Sequence, residues 1–272
     1  MTLNRIILLI LATVLVIIIY SLPRVVVENK KEKVELSEPI QTGEEHTKIE
    51  KPVPDSIRLA IRGLKESLEN SNSIEKRIIF ADSLANAFRD VLFYDSAAYY
   101  LGIAADESGT LERYKIAGDA YFDAFNFTVS ASGRSNFGEK ARFYYQKILD
   151  VEPDNLDVKA NLAVTYVTSG TPMKGIGMLR EILEEDPTHE KALFNLGLLS
   201  ITSGQLDKAM ERFSTLLENY PDNYEARLYL GYCYMELQQS DDAKNEFQKI
   251  ISSDADENIK TAASGYLESI NK

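Results

Sequence analysis

The sequence has no tryptophan, one cysteine and two histidines in 272 residues. A single cysteine excludes an intrachain disulfide framework and any cysteine-rich zinc site. With only His46 and His189 available, a histidine metal centre or a Ser-His-Asp triad lacks material. Cations are also short, since 30 Lys+Arg face 42 Asp+Glu for a net charge of −12. A nucleic-acid binder needs the opposite balance, because it must neutralise phosphates. No segment alternates apolar and polar residues between hairpin turns, so an all-α body is expected. Gly175-Ile176-Gly177 lacks the third glycine of a phosphate loop and falls in a helical segment. Asn126-Phe127-Thr128 matches a glycosylation sequon, which matters only in a eukaryotic secretory pathway. No catalytic constellation survives, so the expectation is a protein that is not an enzyme and holds no cofactor or metal.

What is present begins at the N-terminus. After a tail of residues 1–5, residues 6–23 carry no charge and read IILLILATVLVIIIYSLP. As a helix this run covers roughly 27 Å, close to a bilayer's hydrocarbon thickness. It ends without the small-residue pair of a cleavage site, and no cysteine marks a lipoprotein junction. The run therefore reads as a retained transmembrane anchor. Residues 24–54 follow, rich in Glu, Lys and Pro, and read as a flexible tether. Residues 1–54 hold seven cations and seven acids, so the whole excess of negative charge belongs to residues 55–272. A count of flanking cations favours a cytoplasmic body, whereas Glu28 and Glu32 between those lysines and the short tail favour export. The expected placement is a single-pass protein of the bacterial inner membrane with its body outside the cytoplasm.

The body opens with helical spacing at Ile57, Ile61, Leu64 and Leu68, which Asp55 or Ser56 could cap, and residues 55–77 are assigned to this N-terminal helix. A repeat of 34 residues follows. Leu162-Ala163, Tyr166, Gly175, Leu179, Ile182 and Pro187 recur as Leu196-Gly197, Ser200, Ala209, Phe213, Leu216 and Pro221. They recur again as Leu230-Gly231, Tyr234, Ala243, Phe247 and Ile250. Small residues facing large ones let two helices approach closely, and the prolines end one repeat and start the next. Thr168-Ser169-Gly170 and Thr202-Ser203-Gly204 read as the turns between paired helices. Upstream, Ala117-Gly118 and Tyr121 are separated from Ala141, Tyr145 and Ile148 by about eleven extra residues, so residues 127–137 read as an enlarged loop. Leu84-Ala85, Phe88, Ala97 and Leu101 form a further repeat. The array thus comprises residues 78–110, 111–155, 156–189, 190–223 and 224–257, closed by a capping helix at 258–272. Cys233 reads as a small buried thiol and His189 as a surface side chain at a repeat junction.

This pattern resembles the tetratricopeptide repeat, a helix-turn-helix unit that stacks into an α-solenoid. The resemblance spans roughly 180 residues, and the layout as a whole is similar to membrane-anchored tetratricopeptide-repeat proteins common in Bacteroidetes. It implies scaffold or adaptor work in which other proteins are the partners, as peptide segments or helices held in a concave groove. The family's groove positions fall here on Val164, Val167, Phe194, Leu198, Ile201, Leu228, Tyr232 and Met235. Asn161 and Asn195 stand where asparagine can bond a peptide backbone. This groove is apolar, unlike the Lys/Arg clamp by which some relatives hold chaperone C-termini. The same residues could instead pack internally or against a second copy, which would make the protein self-associating. An assembly factor for envelope complexes, such as cytochrome c maturation or outer-membrane insertion, is a further reading. Phe127 and Phe137 in the enlarged loop are candidate accessory contacts.

Overall fold

The computed structural model describes residues 53–271, and among them every regular element is an α-helix. Twelve helices follow in order: α1 Asp55–Asn70, α2 Ile74–Arg89, α3 Tyr94–Ser108, α4 Leu111–Phe127, α5 Ala131–Leu149 and α6 Leu156–Val167. Then come α7 Pro172–Glu185, α8 Glu190–Thr202, α9 Leu206–Asn219, α10 Tyr224–Glu236, α11 Ser240–Ile251 and α12 Glu257–Ile270. Each packs chiefly on its neighbours in sequence. This is the arrangement of a solenoid whose cohesion is local. The apolar core accordingly divides into successive clusters, the first running from Leu68 to Leu162 and the last from Ala243 to Ala263.

Paired helices differ in how they start. The first helices α2, α4, α6, α8 and α10 are each capped by a side chain, from Ser73, Thr110, Asn155, His189 and Asn223. These accept a backbone N–H that the first turn would otherwise leave without a partner. The second helices α3, α7, α9 and α11 have no such cap. Three of them follow a tight turn with one left-handed residue, Leu92 (φ 63°), Gly204 (φ 71°) or Gln238 (φ 59°). Glycine tolerates that conformation at no steric cost. Gly170, expected to serve its turn in the same way, does not adopt a positive φ.

The seat between paired helices is tight. A Cβ on Gly197 would lie 2.6 Å from the Phe213 ring, and one on Gly231 would lie 2.6 Å from the Phe247 ring. Both rings are fully buried. Between α7 and α6 the order reverses, and Gly175 on the second helix approaches the carbonyl of Ala163 on the first.

Four expectations need correction. The start of α1 is not capped by Asp55 or Ser56, because Pro54 occupies the cap position and makes no side-chain bond. The boundary at residues 77/78 falls inside α2, which begins at Ile74 behind its Ser73 cap. His189 is not a surface residue. It is 9% exposed, and its Nδ1 accepts the Ala192 N–H at 3.4 Å at the start of α8. The largest revision concerns residues 127–137, which are not an enlarged loop. Counted from Gly118 and Ala141, the extra residues add four to the end of α4 and seven to the start of α5. These helices are 17 and 19 residues long, against 12 to 14 in α6–α11. Ser130 caps the extension by accepting Gly133 N–H at 3.2 Å, which is why this second helix alone begins with a capping side chain.

Repeats are kept distinct by one buried ionic group. Glu246, 8% exposed on α11, accepts Arg227 Nη1 at 2.8 Å and Lys249 Nζ at 2.6 Å. Thirty-four residues earlier the same place holds Arg212, whose Nη1 donates to the Leu196 carbonyl at 3.0 Å and to the Ser200 hydroxyl.

Gly197→Val should overpack the Phe213 seat and cost about 1–3 kcal/mol. Denaturant unfolding measures the loss. Native-state hydrogen exchange should show it concentrated in α8–α10, with α2–α5 amides keeping their protection; uniform deprotection would contradict local cohesion.

Candidate functional site

The predicted groove residues sit on three adjacent first helices, α6, α8 and α10, which pack side by side. All ten share one state, half-buried, and none is either sealed or open. Periodicity accounts for this: Phe194, Leu198 and Ile201 recur at helical spacing and fall on one face of α8. The Phe194 ring meets Phe213 at 6.0 Å and Tyr229 at 5.8 Å, both edge-on. Leu198 and Ile201 lean on the same cluster, and Val167 on the one before it. On α10 the covering is done by α12. Tyr232 lies 5.9 Å from the Tyr266 ring, and Ser269 donates to Met235 Sδ at 3.7 Å. Leu228 packs against the same terminal cluster. Each stripe is therefore partly covered by the next first helix in the stack.

The two asparagines are engaged within the protein. Asn161 Nδ2 donates to Tyr145 Oη at 3.3 Å and to Asp119 Oδ1 at 3.4 Å. Asn195 Nδ2 donates back to the Lys191 carbonyl at 2.7 Å. The two phenylalanines proposed as accessory contacts are not brought together. Phe127 ends α4, is 60% exposed and stacks on Tyr94 at 4.4 Å, whereas Phe137 packs from α5 against the core.

Sequence reasoning passed over a polar half of this face. Asp119 on α4 binds Lys115 Nζ at 2.6 Å and accepts the Tyr145 hydroxyl at 2.9 Å. Burial pushes the Tyr145 phenol well above its ordinary range, and Asp119 adds to the shift. One turn further on, half-buried Asp123 has its carboxyl raised, first by burial; Arg89 opposes the shift and Asp119 reinforces it. Asp157 on α6 behaves oppositely, since the hydrogen bond from Lys191 at 2.9 Å holds it below the usual carboxylate range. The signal was available. Counting groove positions from Gly118, as was done from Ala163, Gly197 and Gly231, lands on Asp119 and Asp123. The face is thus polar and internally paired on α4 and apolar on α6 and α8.

Among the described residues no helix is long and apolar enough to cross a membrane, and no set of three metal-ligating side chains converges. The apolar run at 6–23 and most of the tether lie outside the described residues.

A family model for the tetratricopeptide repeat matches residues 170–222 and 200–264. No curated protein matches the sequence. Among solved structures the chain is similar to a tetratricopeptide repeat protein from Parabacteroides merdae, at 14% identity over 79% of this chain and 80% of that one, with a TM-score of 0.56. It is also similar to PilW, a type IV pilus biogenesis factor, at 15% identity over 76% and 98% of the two chains and a TM-score of 0.49. A third is YrrB, a tetratricopeptide-repeat protein with an unusual peptide-binding site, at 20% identity over 78% and 98% and a TM-score of 0.42. The first of these likenesses shows the fold.

A carboxyl with a raised folded pKa stabilises the fold below its unfolded pKa and loses that contribution as pH rises through the folded value. Asp123→Asn should therefore raise the unfolding midpoint at pH 7 and leave it unchanged near pH 3. Thermal melts across that range check the sign, and a loss of stability at pH 7 would show that the Arg89 attraction dominates instead.

Proposed function

We propose, on the premise that this chain is a tetratricopeptide-repeat protein, that it is a scaffold holding segments of other proteins against the apolar stripe of α6 and α8. The observation that carries the reading is the shared half-burial of Val164, Val167, Phe194, Leu198 and Ile201 on two neighbouring first helices. Each retains apolar area that a partner can cover, and fully covering one such side chain is worth roughly 1.5–3 kcal/mol. Recovering part of that at four or five positions offsets the entropy of association for a partner of micromolar affinity. The mode of covering is already present on α10, where α12 lays Tyr266 and Leu267 over the equivalent stripe. A helical or extended partner segment fits this geometry.

The proposal places the stack at the cell envelope. Residues 6–23 would anchor the chain in the bacterial inner membrane as a single span. Residues 24–52 would act as a tether that reaches, at full extension, roughly 100 Å. The uncharged run and the charge-balanced linker support this placement, and export of the stack is the orientation it carries.

A photoreactive residue introduced at Leu198 should cross-link in intact cells to a discrete set of proteins not shared by one placed at Leu59 on α1. Leu198→Asp should weaken each captured partner by about 10- to 100-fold, following the apolar area lost. Identical adducts at both positions would remove the stripe as the binding surface. For the anchor, deletion of residues 6–23 should move the chain from carbonate-washed membranes to the supernatant with its helical content unchanged. Continued sedimentation with membranes would exclude that run as the tether.

A further inference from the structure

The residues that lengthen α4 and α5 carry the hairpin past its neighbours at the edge where first helices turn into second ones. Seven added residues at the start of α5 project it about 10 Å further. Beneath the resulting step lies a cleft of about 480 Å³. One wall carries Phe125, Val129, Arg134 and Arg142, and the other carries Thr165 and the Thr168–Gly170 turn.

Its charge sets this cleft apart. It is lined by two arginines and, among the described residues, by no carboxylate, in a chain of net charge −12. The neighbouring cleft of about 250 Å³ shows the ordinary arrangement, with Lys159 and Lys174 set against Glu181 and Glu185. The arginines that form ion pairs, Arg58, Arg77, Arg113 and Arg227, lie elsewhere. Both cleft arginines are held in place by backbone carbonyls. Arg142 Nη1 donates to Thr165 at 3.2 Å while its guanidinium lies 5.1 Å over the Tyr166 ring, and Arg134 Nη2 donates to Thr128 at 3.0 Å. A guanidinium carries five N–H donors, so each retains most of its fork. That fork matches a carboxylate in two-point geometry. Beside it Val129 is 78% exposed above the buried Phe125 ring.

We infer that this cleft binds an acidic segment of a partner protein, with carboxylates on Arg134 and Arg142 and an adjoining apolar side chain on Val129. The inference is independent of the α6–α8 stripe, since it uses the opposite partner of the hairpin and a different edge of the stack.

The test uses the full-length chain in non-ionic detergent and three fluorescein-labelled octapeptides alternating leucine with glutamate, glutamine or lysine. Anisotropy at low salt should show the glutamate peptide binding at least tenfold tighter than the other two. Arg134→Glu, on an exposed side chain, should reduce that binding at least tenfold, and adding Arg142→Glu should abolish it. Circular dichroism reports whether the double variant folds; the single variant stands if it does not. Leu198→Asp should leave the glutamate peptide's affinity unchanged, which separates this site from the stripe. Equal binding of glutamate and glutamine peptides, no binding of either, or undiminished binding by Arg134→Glu would each overturn the inference. Tenfold tighter binding after deletion of residues 24–52 would show that the chain's own glutamates occupy the cleft, and the partner assignment would fall.

Discussion

Everything in this stack depends on how closely two helices of one hairpin can approach. Gly197 under Phe213 and Gly231 under Phe247 are the same solution used twice: the first helix gives up its side chain so that the second can seat a ring. The gain is a fully buried aromatic in each repeat. The constraint propagates outward, because hairpins of constant thickness stack at a constant interval. That interval is what brings α6, α8 and α10 side by side with their apolar stripes aligned. A core of linked clusters, instead of one central mass, follows from the same geometry.

The stripe also shows why packing and recognition need not be alternatives here. Phe194 touches Tyr229 of the next repeat and still presents part of its ring outward. A side chain anchored on one flank has already lost much of its rotamer freedom, so a partner pays little further entropy to cover the other. The polar half on α4 is organised differently. Tyr145, Asn161 and Lys115 all converge on Asp119, and that convergence consumes donors within the protein.

Much of this architecture was legible in the residues. Repeats with an intact 34-residue period could be placed residue by residue, because each position has a steric reason that the neighbouring repeat repeats. Legibility failed where the period was broken. Ser132, Gly133 and Ser135 have loop-like composition, yet they are helical once Ser130 supplies a cap and Gly138 lets α5 close on Phe125. Composition reports local preference, and here tertiary packing overrode it. His189 misled for another reason: a histidine that caps a helix looks from sequence like any polar residue at a junction. The binding stripe was found because it follows the period. The two-arginine cleft was not, because it exists only where the extended hairpin breaks that period.

The buried ionic group at the C-terminal end has a bearing on how such a chain assembles. Repeats related by 34 residues present nearly interchangeable surfaces, and a hairpin docked one place out of turn would still bury its rings. At the Glu246 position it would fail. A slip by one repeat sets Arg212 opposite Arg227, like charge on like, in a site nine-tenths closed to water. The alternation of Met178, Arg212 and Glu246 along the second helices therefore works as a serial number, distinguishing modules that their shared steric code cannot tell apart.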